Sequence, residues 1–389
     1  MRTRAAVINE TGKSGPYSQS RPLIIEEVEL DAPGPGEVLV EIAGTGLCHS
    51  DLSTITGAIL PPKPRKLNNA PVEGPLPLIL GHEASGIVRE VGPGVTEFKP
   101  DDHVVFSFVP VCGQCYYCAI GRPALCKNGG KANLAGTLLG GEVRFHRHGG
   151  EPVLHYLGVS SFSEYTVAAQ ESLIKIDKNV PLDKAALFGC AVITGVGAVL
   201  NTAQVQAGAP VAIFGLGGVG LSALMGAKLA GAFPIIVVDT QPSKFELAKK
   251  LGADYTINAR ETNPVAAIRE ISGGGVEYSF EAVGNASVLA QAYDCTQRGG
   301  KTVSIGLAPA GQPLTIAASS LTYQEKTLQG SFMGSAIPRR DIPRLINLYM
   351  AGKLPLDELF SQYIPFEEIN EAFDRLAEGT TVRQLIKFK

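Results

Sequence analysis

The stretch that decides the fold is PVAIFGLGGVGLSALMGAKLAG, residues 210–231. A short apolar strand, residues 210–214, leads directly into Gly215-Leu216-Gly217-Gly218-Val219-Gly220, and an apolar helix follows. In this order the first glycine allows a tight turn, the second lets the backbone approach a pyrophosphate, and the third lets helix and strand pack closely. The N-terminus of the helix offers unpaired N–H groups and a positive dipole to phosphate. The stretch therefore predicts a dinucleotide-binding turn.

The residues after this helix indicate which dinucleotide binds. IIVVD (235–239) is a second buried strand, and Asp239 at its end follows the glycine turn by about 20 residues, as the pattern requires. A carboxylate there accepts hydrogen bonds from the adenosine ribose hydroxyls and repels a 2′-phosphate, so NAD is favoured over NADP. Strands and helices alternate further through VEYSFEAVG (276–284) and TVSIG (302–306), which predicts a doubly wound parallel sheet.

The remaining residues predict a second domain, because 389 residues exceed what a single core usually holds. β-rich segments such as EVLVEIAGTGLC (37–48) and DDHVVFSFVP (101–110) fill the first third, and the proline-rich residues 58–77 indicate an exposed loop. The expected fold class is α/β with two domains. These are a β-rich catalytic domain of residues 1–190 and 336–389, and a Rossmann NAD-binding domain of residues 191–335.

Composition and charge argue against several kinds of partner. The net charge is -3 and no basic run stands out, which argues against nucleic acid. No stretch approaches the roughly 20 apolar residues of a membrane span. The N-terminal residues MRTRAAVINE lack the apolar core of a signal peptide. We therefore expect a cytoplasmic protein with no membrane partner, and a reducing compartment favours metal ligation over disulfides for clustered thiols.

Four of the seven cysteines, Cys112, Cys115, Cys118 and Cys126, lie close together. Thiolates at this spacing can close a tetrahedral shell around zinc with no open position, so the site is expected to be structural. The rival is an iron–sulfur cluster, but the bacterial ferredoxin spacing is C-x2-C-x2-C-x3-C-P, and here the last gap is longer and Lys127 follows Cys126. Disulfides or free thiols are the third interpretation.

Cys48, His82 and Cys190 are further candidate ligands. Each taken alone is typical of a buried thiol or of a hydrogen-bonded imidazole. Two cysteines and a histidine with an open fourth position do, however, form a zinc arrangement used in alcohol oxidation. The three residues are scattered along the chain, so their spacing leaves the assignment open.

Over almost its full length, the chain resembles the zinc-containing medium-chain alcohol dehydrogenases, and within them the long-loop branch that includes the liver-type enzymes. The resemblance implies a GroES-like catalytic domain joined to the Rossmann domain, with NAD and two Zn²⁺ per subunit as cofactors. The stretches that carry it are GLCHSDL (46–52), GHEASGIV (81–88), the four-cysteine cluster, RFHRHGGEPVLHYLG (144–158), GCAVITGVGAVL (189–200), GLGGVG (215–220) and VRQLI (382–386).

The resemblance also implies roles for individual residues. By it, Cys48, His82 and Cys190 bind the catalytic zinc. Asp51 orients His82, and Ser50 accepts the alcohol proton and relays it through the cofactor ribose. The other implied roles are Glu83 as a carboxylate that approaches the metal, Phe108 and Leu157 as lining of the substrate pocket, Thr194 beside the nicotinamide, Lys244 with Asp239 at the adenosine ribose, and His49 and Arg383 at the pyrophosphate.

Three positions depart from the family pattern. Ser53 stands where many members have a histidine that ends the proton relay, so proton release is expected to use water or another route. His49 stands where liver-type enzymes often have arginine, which puts the strength of cofactor binding in doubt. Gly130 stands where the glutathione-dependent formaldehyde dehydrogenases carry an arginine for the glutathione carboxylate. The absence of that arginine weighs against S-hydroxymethylglutathione as the substrate.

The expected activity is reversible oxidation of primary aliphatic or aromatic alcohols to aldehydes, with hydride transfer to NAD. One alternative is another medium-chain enzyme, such as a secondary-alcohol, polyol or threonine dehydrogenase or an aldehyde dismutase. A second alternative is a non-catalytic NAD-binding redox sensor. The resemblance implies a homodimer or homotetramer, and the residues do not specify the alcohol.

Overall fold

The computed structural model describes residues 1–63, 66–67, 70–71, 77–309 and 311–388. The chain divides into two compact units. Unit 1 comprises Met1–Cys190, Ile337–Ile346 and Phe360–Lys389, and unit 2 comprises Ala191–Ala336 and Asn347–Leu359. Residues 347–359, which the sequence placed with the catalytic domain, fall in unit 2. Much of the loop expected at 58–77 lies outside the described residues.

The strands are short and separated by turns. In chain order they are β1 (Arg2–Ile8), β2 (Leu23–Leu30), β3 (Glu37–Gly46), β4 (Lys66–Leu67), β5 (Ala70–Pro71), β6 (Leu78–Ile79), β7 (Glu83–Val91), β8 (His103–Phe106), β9 (Phe145–His146), β10 (Pro152–His155), β11 (Tyr165–Ala169), β12 (Leu173–Ile176), β13 (Val211–Phe214), β14 (Ile235–Asp239), β15 (Tyr255–Asn258), β16 (Val276–Glu281), β17 (Thr296–Ser304), β18 (Thr327–Gly330), β19 (Phe360–Ile364) and β20 (Arg383–Lys387).

The helices are α1 (Tyr17–Ser20), α2 (His49–Ile55), α3 (Tyr116–Ala119), α4 (Lys127–Ala135), α5 (Leu182–Ala185), α6 (Ala191–Gly197), α7 (Gly218–Ala230), α8 (Phe245–Lys250), α9 (Pro264–Ser272), α10 (Ala286–Cys295), α11 (Ala318–Tyr323), α12 (Pro338–Met350) and α13 (Ile369–Glu378). Within the described part of the chain, no single helix is long and apolar enough to cross a membrane. One bent helix pair, Leu182–Gly189 with Ala191–Ala203, meets the requirement by length and composition only.

Unit 1 contains a barrel and a larger sheet. The barrel closes in the order β1-β2-β9-β10-β6, and the larger sheet runs β12-β8-β7-β3-β20-β19 with β11 also paired to β3. A core that includes Phe145, Phe162 and Phe373 is fully shielded from solvent. Burying a side chain of this size contributes about 1.5–3 kcal/mol, so this core holds the surrounding strands and α13 together.

Unit 2 is built on one parallel sheet in the order β15-β14-β13-β16-β17-β18. Strand β13 is buried along its whole length, as expected for a central strand covered on both faces. Phe214, Ile236 and Ile268 belong to the core on one side of this sheet. The predicted α/β class with a parallel-sheet coenzyme domain is confirmed.

Candidate active site

The register between β3 and β7 brings two distant ligand candidates together. The strands run antiparallel with Gly46 opposite Glu83. Cys48 follows the end of β3 by two residues, and His82 directly precedes β7. Paired residues in an antiparallel ladder lie about 4.5–5.5 Å apart, so the segments that leave this end of the two strands are neighbours.

Cys190 can lie near Cys48 and His82 because the residue before it is a glycine. The turn Ala186–Gly189 packs against β7 and β8. A Cβ atom on Gly189 would lie only 2.5 Å from the carbonyl oxygen of Phe106, closer than real Cβ contacts allow. The absence of a side chain at Gly189 therefore permits the close approach that delivers Cys190.

Cys48, His82 and Cys190 form a buried cluster whose ligand atoms all lie within 4.8 Å of one another. The three residues are 5%, 1% and 7% exposed. Hydrogen bonding with Cys190, together with the charge of His82, holds the pKa of the Cys48 thiol well below its usual value. The thiolate is the form that binds a metal, so the cluster suits a soft cation such as zinc.

Asp51 and Ser50 border this cluster from helix α2. Asp51 is fully buried, and its Oδ1 lies 3.1 Å from His82 Nδ1 while its Oδ2 accepts a hydrogen bond from Cys48 N at 3.1 Å. Gly81 N also donates to Asp51 Oδ1, at 3.1 Å. This carboxylate fixes the imidazole so that Nε2 is directed away from it. The Ser50 Oγ lies 3.9 Å from Cys48 Sγ.

Glu83 and Arg383 form a buried ion pair next to the cluster. Arg383 Nε lies 3.3 Å from Glu83 Oε2, and the two residues are 2% and 0% exposed. Burial alone would lower the pKa of Arg383, but the Glu83 carboxylate and the nearby thiolates raise it above its usual value. A Cβ at Gly46 would overlap Glu83 Oε2, so a larger residue at the end of β3 would displace the Glu83 carboxylate.

Phe108 and Tyr156 both pack on the His82 ring. Both rings meet the imidazole edge to face, with centroids 5.9 Å from His82 for Phe108 and 5.7 Å for Tyr156. Leu157, the other expected pocket residue, has a left-handed backbone with φ of 54°. The Val159 N–H and the Ser160 N–H both donate to the Tyr156 carbonyl oxygen, and this turn maintains the conformation.

The four-cysteine cluster is a second group of candidate ligands, and its sulfur atoms all lie within 4.8 Å of one another. The Sγ of Cys126 accepts hydrogen bonds from Cys112 N at 3.4 Å and from Gly129 N at 3.3 Å. Hydrogen bonds from the backbone of Cys118 lower the pKa of the Cys115 thiol to about 6. Four sulfur donors are the set expected of a closed structural zinc site.

The glycine turn of unit 2 has the geometry that its sequence predicts. Gly215 has φ of 93°, a left-handed conformation that favours glycine. A Cβ on Gly220 would overlap the Gly215 carbonyl oxygen, whereas a Cβ on Gly217 would meet no described atom within 4 Å. Helix α7 begins at Gly218 and includes Val219 in its first turn. The open side of Gly217 is where a pyrophosphate could approach the backbone.

Asp239 ends β14 beside this turn, because β13 and β14 pair in parallel with Phe214 opposite Val238. Its Oδ2 accepts a hydrogen bond from Leu216 N at 2.6 Å, and Lys244 Nζ lies 3.7 Å from the same oxygen. Unit 2 also contains Thr194, which is 9% exposed, and its Oγ1 has no hydrogen-bond partner among the described residues. His49 of unit 1 is exposed at the start of α2.

The residues present fit zinc and NAD, the two cofactors that the resemblance implies. The Cys2His cluster and the four-cysteine cluster offer the donor atoms that zinc prefers, with three ligands in one and four in the other. The open Gly217, the positioned Asp239 carboxylate and the unpartnered Thr194 hydroxyl offer contacts to a dinucleotide. The glycine, the carboxylate and the hydroxyl that would contact the dinucleotide all belong to unit 2.

Several residues that shape the site were not singled out from the sequence. Tyr156 packs on His82, and Asn128 Nδ2 donates to Cys112 Sγ at 3.3 Å. Asn133 Nδ2 donates to the carbonyl oxygen of Phe108 at 2.8 Å. Tyr156 directly precedes the expected pocket residue Leu157, which is the one signal that could have pointed to it.

Comparisons with known proteins identify the family of the chain. Residues 34–178 match the family described as alcohol dehydrogenase GroES-like domain, and residues 218–351 match the family described as zinc-binding dehydrogenase. The chain is 39% identical over its whole length to the S-(hydroxymethyl)glutathione dehydrogenase of Paracoccus denitrificans, all of which is covered. It is 40% identical to an alcohol dehydrogenase class-3 of Cereibacter sphaeroides, with full coverage of both chains.

A solved structure of a related enzyme has a similar fold over the whole chain. The benzyl alcohol dehydrogenase of Acinetobacter calcoaceticus matches with a TM-score of 0.90 and 34% identity, and the match covers 100% of both chains. The GroES-like and coenzyme-domain folds expected from the resemblance are confirmed, and so are NAD and zinc as the cofactors of this family.

Proposed function

Because the chain belongs to the zinc-containing medium-chain alcohol dehydrogenase family, we propose that it oxidises small primary alcohols, aliphatic or aromatic, to aldehydes with NAD. The observation that carries this proposal is the buried Cys48–His82–Cys190 cluster with the Phe108 ring against His82. Three ligands leave one position of a tetrahedral zinc open for substrate. An apolar ring packed on one of the ligands favours the carbon chain of an alcohol over a polar substrate.

The residues of the cluster have separate roles in this proposal. Bound zinc supplies Lewis acidity that lowers the pKa of an alcohol hydroxyl, and NAD supplies the hydride acceptor. Asp51 fixes His82, and Ser50 Oγ, placed 3.9 Å from Cys48 Sγ, accepts the hydroxyl proton. Phe108 and Leu157 orient the carbon chain and exclude water. Glu83 and Arg383 supply compensating charge beside the ligands, and Arg383 and His49 also serve the pyrophosphate.

The coenzyme contacts are assigned to unit 2. The N–H groups of the turn from Gly217 to Gly220 hold the pyrophosphate, and Asp239 with Lys244 holds the adenosine ribose. Thr194, whose Oγ1 has no hydrogen-bond partner among the described residues, would contact the nicotinamide. Cys112, Cys115, Cys118 and Cys126 form the structural zinc site. Assembly into a homodimer or homotetramer stays a prediction, which light scattering would check. A cytoplasmic location also stays a prediction.

The second candidate substrate is S-(hydroxymethyl)glutathione, which the name of the Paracoccus denitrificans relative favours. Against it stands Gly130, which offers no cationic side chain to a glutathione carboxylate. A benzyl alcohol dehydrogenase of the same fold, by contrast, is named for an aromatic primary alcohol. A steady-state panel of ethanol, benzyl alcohol, a secondary alcohol, a polyol and S-(hydroxymethyl)glutathione, run with NAD and with NADP, separates these activities. Absence of alcohol-dependent NAD reduction by zinc-loaded protein would sink the proposal.

Gly130 itself allows a direct test of the substrate assignment. A Cβ at Gly130 would meet no described atom within 4 Å, so a side chain can begin there without a clash at its first atom. We expect Gly130→Arg to raise kcat/KM for S-(hydroxymethyl)glutathione by about 10-fold or more, since one charge-assisted hydrogen bond contributes about 1.5–3 kcal/mol. Gly130→Ala is the matched control. Equal kcat/KM values in the two variants would show that residue 130 does not decide between these substrates.

A further inference from the structure

Asn133 is a polar residue that the proposed mechanism does not use, although it touches the wall of the proposed pocket. It lies on α4, the helix that begins directly after Cys126. Its Nδ2 donates a hydrogen bond of 2.8 Å to the backbone carbonyl oxygen of Phe108. One side-chain amide thus joins the helix of the four-cysteine cluster to the residue whose ring meets His82.

The other end of the same amide is directed at the second pocket segment. Asn133 Oδ1 is buried and accepts no hydrogen bond from any described residue. It lies 3.9 Å from the position that a Cβ on Gly158 would occupy, and Gly158 follows Leu157. Asn133 therefore stands between the backbone segments of Phe108 and Leu157. A buried acceptor without a partner is unfavourable, so the favourable contact of the Asn133 amide is the hydrogen bond from Nδ2 to the Phe108 carbonyl oxygen.

Helix α4 can act as a firm support for this contact. Cys126 caps its N-terminus by accepting a hydrogen bond from Gly129 N at 3.3 Å. A side chain at Gly129 would overlap the Pro110 carbonyl oxygen, which shows how closely the helix packs on the segment that follows Phe108. The position of Asn133 is thereby tied to the four-cysteine cluster.

We propose that Asn133 is a specificity-determining positioning residue: it fixes the Phe108 wall of the substrate pocket to the helix of the four-cysteine cluster. This inference rests on the proposed function, in which Phe108 lines the pocket. Asn133 hydrogen-bonds to no residue of the Cys48–His82–Cys190 cluster in the described structure. Its removal therefore changes how a bulky alcohol fits while leaving the chemistry of a small alcohol in place.

The test compares Asn133→Leu and Asn133→Ala with wild type in zinc-loaded protein. We expect kcat/KM for benzyl alcohol to fall by about 10-fold or more, mainly through KM, and kcat/KM for ethanol to stay within about 2-fold. Asn179→Leu is the matched control, because Asn179 is exposed and lies outside the site. An unchanged benzyl alcohol to ethanol ratio in both Asn133 variants overturns the proposal.

A second readout needs no turnover and so separates this proposal from the proposed function. Hydrogen–deuterium exchange at residues 107–111 should be roughly 5-fold faster in Asn133→Leu than in wild type or Asn179→Leu, because the Phe108 backbone has lost its tie. Faster exchange in a protein that oxidises no alcohol supports the tie and rejects the proposed function. Unchanged exchange at 107–111 overturns the role of Asn133 whatever the substrate is.

Discussion

The ring and the hydroxyl of Tyr156 act on different parts of the candidate site. The ring meets His82 edge to face, and the hydroxyl lies 3.0 Å from Thr54 Oγ1 and 3.3 Å from the Ser50 carbonyl oxygen. Burial, together with the charge of Asp51, raises the pKa of Tyr156 well above its usual value, so the hydroxyl stays protonated. Tyr156 can therefore fix α2, the helix that carries Ser50 and Asp51.

Substitution Tyr156→Phe tests this role because it keeps the ring and removes only the hydroxyl. One buried hydrogen bond contributes about 1 kcal/mol, so we expect kcat to fall roughly 5-fold with zinc content unchanged. Thr54→Val should add little further loss in the double variant, since the two hydroxyls form one network. Tyr349→Phe, which loses a contact with Asp357 in unit 2, is the control. Additive losses in the double variant would contradict the shared network.

His155 is a buried histidine whose protonation opposes folding. It is fully buried, and its Nε2 accepts a hydrogen bond from Arg144 N at 3.1 Å. Burial, followed by the charges of Arg144 and His146, lowers the pKa of His155 to about 3 from its usual 6.5. Between these values the unfolded chain binds a proton that the folded chain does not. Stability is therefore complete above pH 6.5 and falls as the pH decreases towards 3.

The expected effect of His155 is measurable with one variant. His155→Gln keeps an acceptor for Arg144 N but does not titrate. Between pH 7 and pH 5, the free energy of unfolding of wild type should fall by about 2 kcal/mol more than that of the variant, at about 1.4 kcal/mol per pH unit below 6.5. Urea denaturation at the two pH values gives this difference. Parallel losses in the two proteins would assign the acid sensitivity to other groups.

At the level of elements, features contained in one short segment can be predicted from the sequence, and features that join distant segments cannot. The glycine turn and the four cysteines are each complete within one short segment, so their spacing predicts both the fold and the ligand set. Cys48, His82 and Cys190 come together only through the register of β3 against β7 and the close approach of Gly189 to Phe106. Neither the strand register nor the close approach can be inferred from sequence spacing, so the prediction of these three ligands depended on the family resemblance.

Side-chain contacts between elements were the least predictable feature. Asn133 meets Phe108 across a separation of 25 residues, and Tyr156 meets Thr54 across 102. A single asparagine or tyrosine carries no pattern that indicates such a partner. The boundary of the coenzyme unit shows the same limit, because residues 347–359 join unit 2 through packing that the helical pattern of 340–389 does not specify.

The turn between β13 and α7 allows a prediction in which two glycines of one element behave differently. Gly220→Ala places a Cβ on the Gly215 carbonyl oxygen, so we expect unit 2 to lose stability. Gly217→Ala meets no described atom within 4 Å and should leave the melting temperature within about 2 °C. It should nevertheless raise Kd for NADH by about 10-fold or more, because the new methyl group obstructs the pyrophosphate. NADH fluorescence titration and thermal unfolding provide the two readouts, and unaltered NADH affinity in Gly217→Ala would move the pyrophosphate elsewhere.

For the whole molecule, the three candidate sites serve separable functions. The Cys2His cluster and the four-cysteine cluster both belong to unit 1, and the glycine turn with Asp239 belongs to unit 2. The first cluster is buried at the ends of strands of the large unit 1 sheet, whereas the second lies in a segment with short helices and exposed side chains such as Tyr116 and Leu134. Metal should therefore contribute more to stability in the second cluster than in the first.

Metal analysis of two variants tests this division, starting from an expected two zinc ions per chain in wild type. Cys190→Ser and Cys118→Ser should each retain about one zinc, since each loses one ligand of one cluster. Cys190→Ser should lose alcohol oxidation but keep its melting temperature within about 2 °C, whereas Cys118→Ser should lower it by about 5–10 °C because the segment from Cys112 to Ala135 loses its cross-link. Both should still bind NADH, because the dinucleotide turn lies in unit 2. Equal melting temperatures in the two variants would show that the four-cysteine cluster does not stabilise the fold.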